Sequence, residues 1–166
     1  DEIRKDSLSP TGARAVFEAH GEIFTVPVDK GDIRNLTQTP GAAERDPSWS
    51  PDGKTIAYFS DASGEYQLYL HDQTGFAAPK VISLGPDPSY YYTPIWSPDS
   101  KHIAYTDKHL HLWMVDAPSG KPVLVDTRIY GSFGSNFSQV WSPDSKWMAY
   151  ERDLENGLEA IFLYNA

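Results

Sequence analysis

The sequence predicts an all-β fold built from repeated units of four short strands, and two observations lead to this prediction. A ten-residue phrase occurs three times, as WSPDGKTIAY at 49–58, WSPDSKHIAY at 96–105 and WSPDSKWMAY at 141–150. The 166 residues also include 13 Pro, 12 Gly, five Trp, ten Tyr and seven Phe. This composition favours strands and tight turns over helices. Repetition at this length indicates one supersecondary unit stacked several times.

The spacing of the phrase defines the repeat. Its serines, Ser50, Ser97 and Ser142, are 47 and 45 residues apart. A degenerate copy, SPTGARAVF, begins 41 residues earlier at Ser9, with Leu8 where the other copies have Trp. The chain therefore contains four copies of one unit, spaced 41, 47 and 45 residues apart, and this spacing is close to the repeat length of propeller blades.

Four strands, A to D, can be assigned along each unit. Strand A ends at the Trp, and strand B follows the Ser-Pro-Asp turn with its IAY-like end. The apolar stretches predicted as strand C are EIFTVPV, YQLYLHD, HLHLWMVD and EAIFLYN. The runs predicted as strand D are IRNLT, KVISL and PVLVD, and the fourth unit has no such run. The prediction is an all-β β-propeller of four-stranded antiparallel blades, with an incomplete fourth blade. The predicted blades span about 2–37, 46–84, 93–126 and 138–166.

The repeated phrase has a structural explanation. Its Pro sets φ for the second turn position, its Ser and Asp can bind turn amides, and Gly53 tolerates positive φ. Each Trp is an apolar anchor between blades. Because the phrase recurs in successive blades, a calcium-binding or catalytic role for its acids is disfavoured. The residues assigned to this scaffold are Trp49, Pro51, Asp52, Trp96, Pro98, Asp99, Trp141, Pro143 and Asp144.

These stretches resemble the PD40 (WD40-like) repeats of TolB and tricorn-type propellers. The segment 9–70, which contains GEIFTVP and SGEYQLYL, is similar to the opening of the second, larger propeller of tricorn-type proteases. The resemblance implies a large serine peptidase with two propellers, a PDZ-like domain and a C-terminal catalytic domain. It implies that the larger propeller is a channel or filter for peptides, and that no catalytic residue of the family lies in this sequence.

The resemblance also implies a larger ring of about seven blades. We therefore expect this chain to be a piece of a larger propeller. Its terminal blades would then present open faces and unpaired strand edges. We expect the remaining blades or domains of a parent chain, or other copies of this chain, to cover these surfaces.

Charge and composition restrict the class of partner. The formal net charge of −9 disfavours binding to nucleic acid, and no apolar run approaches membrane-spanning length. Cysteine is absent, so neither disulfides nor thiolate chemistry are expected. No cofactor is expected. A periplasmic, secreted or cytoplasmic bacterial location stays open.

Candidate contact residues lie where the repeat is broken, in the loops at the ends opposite the Ser-Pro-Asp turns. Three consecutive aromatics, Tyr90, Tyr91 and Tyr92, cannot all face one core in a strand, so at least one is expected at the surface. The alternative is that all three pack between blades. The other candidates are Phe133, Phe137 and Arg45.

Two further pairs of residues are candidate sites. Arg45 and Asp46 precede the predicted strand A, where they either line the channel or form an ion pair at its rim. His109 and His111 are spaced i, i+2 and would share a face on a strand, but no third metal ligand is evident. We expect ordinary polar strand residues there rather than a metal site.

The leading functional prediction is a non-catalytic propeller module of a tricorn-type serine peptidase, acting as a peptide channel and scaffold. One alternative is a TolB-like propeller that docks a partner protein in the periplasm. Another is the propeller cap of a prolyl-oligopeptidase-like enzyme. The motifs GEIFTVP and SGEYQLYL favour the first, because a generic TolB blade does not require them.

Overall fold

The structure is a computed structural model that describes residues 3–129 and 137–166. Every regular element in these residues is a β-strand, and the strands form four antiparallel sheets in chain order. Successive antiparallel sheets of this kind are the blades of a β-propeller, so the predicted fold class is confirmed. The chain divides into two compact units, Asp1–Pro88 and Ser89–Ala166, with two sheets in each.

The first unit contains two complete four-stranded sheets, each in the order A-B-C-D. The first sheet consists of β1 (Ile3–Leu8), β2 (Arg14–Ala19), β3 (Glu22–Pro27) and β4 (Arg34–Asn35). The second consists of β5 (Glu44–Trp49), β6 (Thr55–Ser60), β7 (Gln67–Asp72) and β8 (Lys80–Ile82). Between them lies a core of buried residues that both sheets supply, among them Val16, Ile23, Trp49, Ile56 and Tyr58.

The second unit contains one four-stranded and one three-stranded sheet among its described residues. The third sheet consists of β9 (Tyr91–Trp96), β10 (His102–Asp107), β11 (His111–Asp116) and β12 (Lys121–Thr127). The fourth consists of β13 (Val140–Trp141), β14 (Trp147–Asp153) and β15 (Glu159–Asn165). Their shared core includes Leu112, Met114, Trp141, Met148 and Tyr150.

The repeated turn has the same hydrogen bonds in the last three sheets. In the second sheet, the Ser50 hydroxyl donates to Asp52 Oδ1 at 2.6 Å and accepts from the Thr55 amide at 3.0 Å. Asp52 Oδ1 also accepts from the Lys54 amide at 3.1 Å. The residue after the Asp has positive φ, 72° at Gly53. The recurring acids therefore cap the turn with their carboxylates.

The fourth turn residue also sits where neighbouring turns meet. A Cβ placed on Gly53 would lie 3.7 Å from Cδ of Pro10 in the turn of the first sheet. In the second unit the equivalent residue is Ser145, with φ of 63°, and its hydroxyl accepts a hydrogen bond from the Asp99 amide at 3.0 Å. Ser145 therefore lacks the backbone freedom of glycine, but its side chain makes a hydrogen bond to the preceding sheet.

The repeated Trp anchors are buried, as the sequence predicts. Trp49, Trp96 and Trp141 are 7%, 8% and 9% exposed. Trp141 shows how the anchor joins two sheets, because its Nε1 donates to the Ile95 carbonyl at 3.2 Å. Its indole also stacks on His102, with ring centres 6.0 Å apart. The anchor therefore joins the third and fourth sheets by a hydrogen bond as well as by apolar contact.

Strand A of each of the first three sheets contains a bulge that the sequence analysis did not predict. The register shifts near the middle of β1, β5 and β9. At each shift one non-glycine residue, four positions before the turn Ser, has positive φ; these residues are Lys5 (42°), Asp46 (53°) and Thr93 (39°). A bulge of this kind bends the strand and reverses which face the following side chains occupy.

Candidate functional site

The candidate surface of the third sheet lies at the end of its strands opposite the Ser-Pro-Asp turn. The loop that enters β9 meets the loop between β10 and β11 there, because the Lys108 amide donates to the Tyr90 carbonyl at 2.8 Å. Tyr90 is 39% exposed and Tyr92 is half-buried. Their rings form an edge-to-face pair with centres 5.1 Å apart. These two tyrosines therefore present an aromatic surface beside the start of β9, an edge strand of its sheet.

Tyr91 does not belong to this surface, so its prediction as a contact residue is wrong. It is 4% exposed and packs edge-to-face on Tyr105, with ring centres 5.7 Å apart. In β9 it lies opposite Asp107, whereas Tyr92 lies opposite Thr106. Successive strand residues point to opposite faces, so the alternation buries Tyr91 on one face and leaves Tyr92 on the other.

Phe137 is a core residue, and its prediction as a partner contact is also wrong. It is 4% exposed, and its ring lies 5.8 Å from that of Tyr150 in an edge-to-face arrangement. The Arg128 guanidinium also lies over the Phe137 ring, 5.5 Å from its centre. These contacts leave Phe137 little surface for a ligand. Phe133 lies outside the described residues.

Arg45 is likewise buried, at 8% exposure, and lies within β5 rather than before it. Its Nη2 is 3.1 Å from Asp46 Oδ2, and its guanidinium lies over the Tyr66 ring, 5.2 Å from the centre. The Asp46 amide donates to Glu18 Oε2 at 3.0 Å. Arg45 is therefore neutralised inside the first unit, which contradicts its prediction as a peptide contact.

Glu44 is a buried acid that the sequence analysis missed. It is 1% exposed, and its Oε1 accepts hydrogen bonds from Thr39 Oγ1 at 2.5 Å and Ser60 Oγ at 3.2 Å. Glu44 occupies the repeat position that holds Ile3 and Tyr91 in neighbouring units. A charge where these two repeats have an apolar or aromatic residue was the available signal. Glu44 holds the loop before β5 against the end of β6.

His109 and His111 are close together, although only His111 belongs to a strand. His109 lies in the turn between β10 and β11 and is exposed, and His111 begins β11. Their ring centres are 5.9 Å apart. The buried carboxylate of Asp107 accepts from the His111 ring and from Trp113 Nε1, at 2.9 Å each. The sequence analysis did not single out Asp107.

A concave site of about 490 Å³ lies on the fourth sheet, beside the loop that follows β14. It is lined by Ile129, Arg152, Asp153, Leu154, Glu155 and Asn156. Its arginine is already paired, because Arg152 Nη1 donates to both carboxylate oxygens of Asp126, at 2.8 and 3.0 Å. Asp126 also accepts from the Tyr150 hydroxyl, and burial together with this bond raises the pKa of Tyr150 to about 12. The pocket therefore offers no unpaired arginine to an anion.

The described residues contain neither a metal-binding cluster nor a membrane-spanning helix. No group of three or more His, Cys, Asp or Glu side chains there is arranged to hold a metal ion. None of the described elements is a helix with the length and apolar character needed to cross a bilayer.

Comparison with known proteins identifies the family. The family model of the tricorn protease second β-propeller domain matches residues 3–166. The chain belongs to this family. The solved tricorn protease structure superposes with a TM-score of 0.75 at 16% identity, over 99% of this chain and 17% of that one.

The chain is also similar to two other proteins, one by structure and one by sequence. TolB from Acinetobacter baumannii has a TM-score of 0.68 at 19% identity, covering 99% of this chain and 41% of the TolB chain. Dipeptidyl-peptidase 5 of Porphyromonas gingivalis is 34% identical over 76 residues, which are 40% of this chain and 11% of that protein. This propeller chain therefore spans a minor part of each of these proteins.

Proposed function

We propose that this chain is a non-catalytic propeller module that admits and orients peptides for a tricorn-type serine peptidase. The observation that carries the proposal is the family match over residues 3–166. The activity of a parent peptidase is part of the proposal, because the chain covers 17% of the tricorn protease structure. The module would act by size and shape selection rather than by bond chemistry.

Tyr90 and Tyr92 are the proposed peptide contacts within the described residues. They lie at the start of β9, an edge strand of its sheet, and their edge-to-face pair forms a partly exposed aromatic surface. Such rings bury apolar area at low conformational cost and offer hydroxyls for hydrogen bonds to a peptide backbone. The net charge of −9 favours neutral or basic peptides over acidic ones.

The test is binding of fluorescently labelled peptides of four to twenty residues, measured by anisotropy. The variants Tyr90→Ala and Tyr92→Ala are each expected to weaken binding about tenfold. That loss corresponds to roughly 1.4 kcal/mol of binding free energy. Phe76→Ala is the matched control, because Phe76 is an exposed aromatic residue (90%) in the loop between β7 and β8, at the opposite end of its sheet. Unchanged binding in both tyrosine variants would remove these residues from the proposal.

A second candidate is a TolB-like module that docks a folded partner protein. The superposition on TolB, with a TM-score of 0.68 over 99% of this chain, supports this second candidate. The two functions differ in ligand length. A docking module would bind none of the short peptides and would form a discrete cross-linked complex with one protein, whereas a channel module would bind extended peptides of many sequences.

A further inference from the structure

The turn between β10 and β11 brings two imidazoles together above a buried carboxylate. The rings of His109 and His111 have centres 5.9 Å apart and are tilted by 36°. Asp107, at 5% exposure, is the buried carboxylate beneath them. We propose that His109 and His111 bind a divalent transition-metal ion, such as Zn²⁺, Ni²⁺ or Cu²⁺. This site is independent of the peptide-channel function.

The separation of the rings fits a shared ion. A metal–nitrogen bond of about 2.0–2.1 Å puts the ion about 3.2 Å from each ring centre. Two imidazoles on one ion then have ring centres roughly 5–6 Å apart, depending on the angle at the metal. The observed 5.9 Å lies in that range. Because His109 is exposed, rotation of its side chain can complete the approach.

Asp107 sets the tautomer of His111. A carboxylate accepts hydrogen bonds only, so the 2.9 Å contact requires the proton on Nδ1 of His111. The lone pair is then on Nε2, the other ring nitrogen, which has no hydrogen-bond partner among the described residues. A ligating histidine typically donates its second N–H to a carboxylate in this way, which orients the ring and strengthens it as a ligand.

The carboxylate itself is firmly held. Its second oxygen, Oδ1, accepts from the amides of His109 and His111 at 2.9 and 3.1 Å. Oδ2 also accepts from Trp113 Nε1 at 2.9 Å. Together with the bond from the His111 ring, these make four hydrogen bonds, which hold the Asp107 carboxylate to both ends of the turn. The His111 ligand is therefore oriented before any ion binds, which lowers the cost of binding.

The donor set determines the kind of ion. Imidazole nitrogens suit Zn²⁺, Ni²⁺ and Cu²⁺, whereas Mg²⁺ and Ca²⁺ take oxygen ligands. No third acidic, histidine or cysteine ligand is arranged for an ion among the described residues. Water or a group from a bound molecule would fill the other coordination positions. We therefore expect exchangeable binding that is tightest for Cu²⁺.

The test uses the full chain, stripped of metal with a chelator and then titrated with ZnCl₂ by calorimetry. His109→Gln and His111→Gln are each expected to weaken Zn²⁺ binding at least tenfold. His20→Gln is the matched control, because His20 is an exposed histidine in the turn between β2 and β3 and should leave the affinity unchanged. Equal affinity in wild type and both pair variants would overturn the proposal.

A spectroscopic measurement counts the ligands directly. The EPR spectrum of one equivalent of Cu²⁺ is expected to show coupling to two nitrogens in the wild type and to one in either variant. A wild-type spectrum without coupling to two nitrogens would contradict a shared site. Asp107→Asn, with retained circular dichroism, is expected to weaken Zn²⁺ binding about 10–100-fold. If that variant unfolds, the two histidine variants still decide the question.

Discussion

The hydroxyl of Ser145 accepts a hydrogen bond of 3.0 Å from the Asp99 amide and thereby joins the turns of the third and fourth sheets. Ser145 is 7% exposed and has a left-handed φ of 63°. Its conformational cost is therefore offset by a contact to the preceding sheet. The turn WSPDS at 141–145 thus differs from WSPDG at 49–53 in how it meets the preceding turn.

Two substitutions of Ser145 separate the contribution of its hydrogen bond from the cost of its positive φ. Ser145→Ala keeps the positive φ and loses the hydrogen bond, so we expect about 1–2 kcal/mol lower stability. Ser145→Gly loses the same bond but relieves the backbone cost of roughly 1 kcal/mol, so its stability should lie between alanine and serine. Urea unfolding followed by Trp fluorescence measures both. An alanine variant as stable as the glycine variant would show that the left-handed backbone carries no cost here.

The turn acids make stability depend on acid pH. The Ser142 hydroxyl and the Lys146 amide hold the pKa of Asp144 below its usual value. The pKa values of Asp52 and Asp99 are also lowered, since their turn hydrogen bonds together outweigh the opposing effect of desolvation. A depressed carboxyl pKa contributes stability above the unfolded value of about 3.9 and loses it as pH falls through the folded value.

The measurement compares wild type with the triple variant Asp52→Asn, Asp99→Asn and Asp144→Asn. We expect the wild type to be more stable at pH 7 and the difference to shrink as pH falls from 4 towards 2. Thermal unfolding at several pH values tests this. A difference that stays constant across that range would mean that the carboxylate charge is not what stabilises the turns.

His71 makes a separate contribution near neutral pH. Burial lowers its pKa and is only partly opposed by the hydrogen bond to the Ala77 carbonyl. The unfolded chain, with a histidine pKa of about 6.5, therefore takes up a proton before the folded chain does. This stability is present above pH 6.5 and is lost as pH falls towards the folded pKa.

The check for His71 is unfolding of wild type and His71→Gln between pH 8 and pH 5. The glutamine variant is expected to be less stable at pH 8, because it loses the buried contact of 3.3 Å between the Tyr58 hydroxyl and Nδ1 of His71. Its stability should fall less on acidification than that of the wild type. Parallel curves for the two proteins would rule out His71 as the titrating group.

Loss of stability on substitution should distinguish the buried Tyr91 from the exposed Tyr90. Tyr91→Ala is expected to cost about 3–5 kcal/mol, because it opens a cavity against Tyr105. Tyr90→Ala should cost less than about 1 kcal/mol, since this residue is 39% exposed. Denaturant unfolding of both variants provides the comparison. Similar losses for the two would contradict the alternation of faces in β9.

The outer face of the fourth sheet is expected to drive self-association. Ile161 and Leu163, on one face of β15, are 73% and 67% exposed, and Trp147 is 44% exposed. The double variant Ile161→Lys, Leu163→Lys should lower the apparent mass in sedimentation experiments, because charge on this face opposes apolar contact. Val28→Lys, at an exposed position (65%) directly after β3 of the first sheet, is the matched control. A monomeric wild type would contradict the prediction.

The sequence by itself determined the repeat, the blade architecture and the family. These features follow from local chemistry, because Ser, Pro, Asp and a residue that tolerates positive φ specify the same turn wherever they recur. The buried Trp anchors could be predicted for a similar reason: a large apolar residue at one position of successive blades has to pack between them.

The tertiary structure alone decided which residues of the candidate site are available. The bulge at Thr93 and the pairing of Tyr91 with Asp107 determine which face each tyrosine occupies, and a single-residue change of register would exchange them. Burial of Arg45 and Phe137 depends on Tyr66 and Tyr150, which are distant in sequence. Only the structure shows that Asp107 is a hydrogen-bond partner of the His111 ring, because the turn between β10 and β11 brings the two side chains together. Such contacts depend on side-chain direction, which the pattern of residue types does not contain.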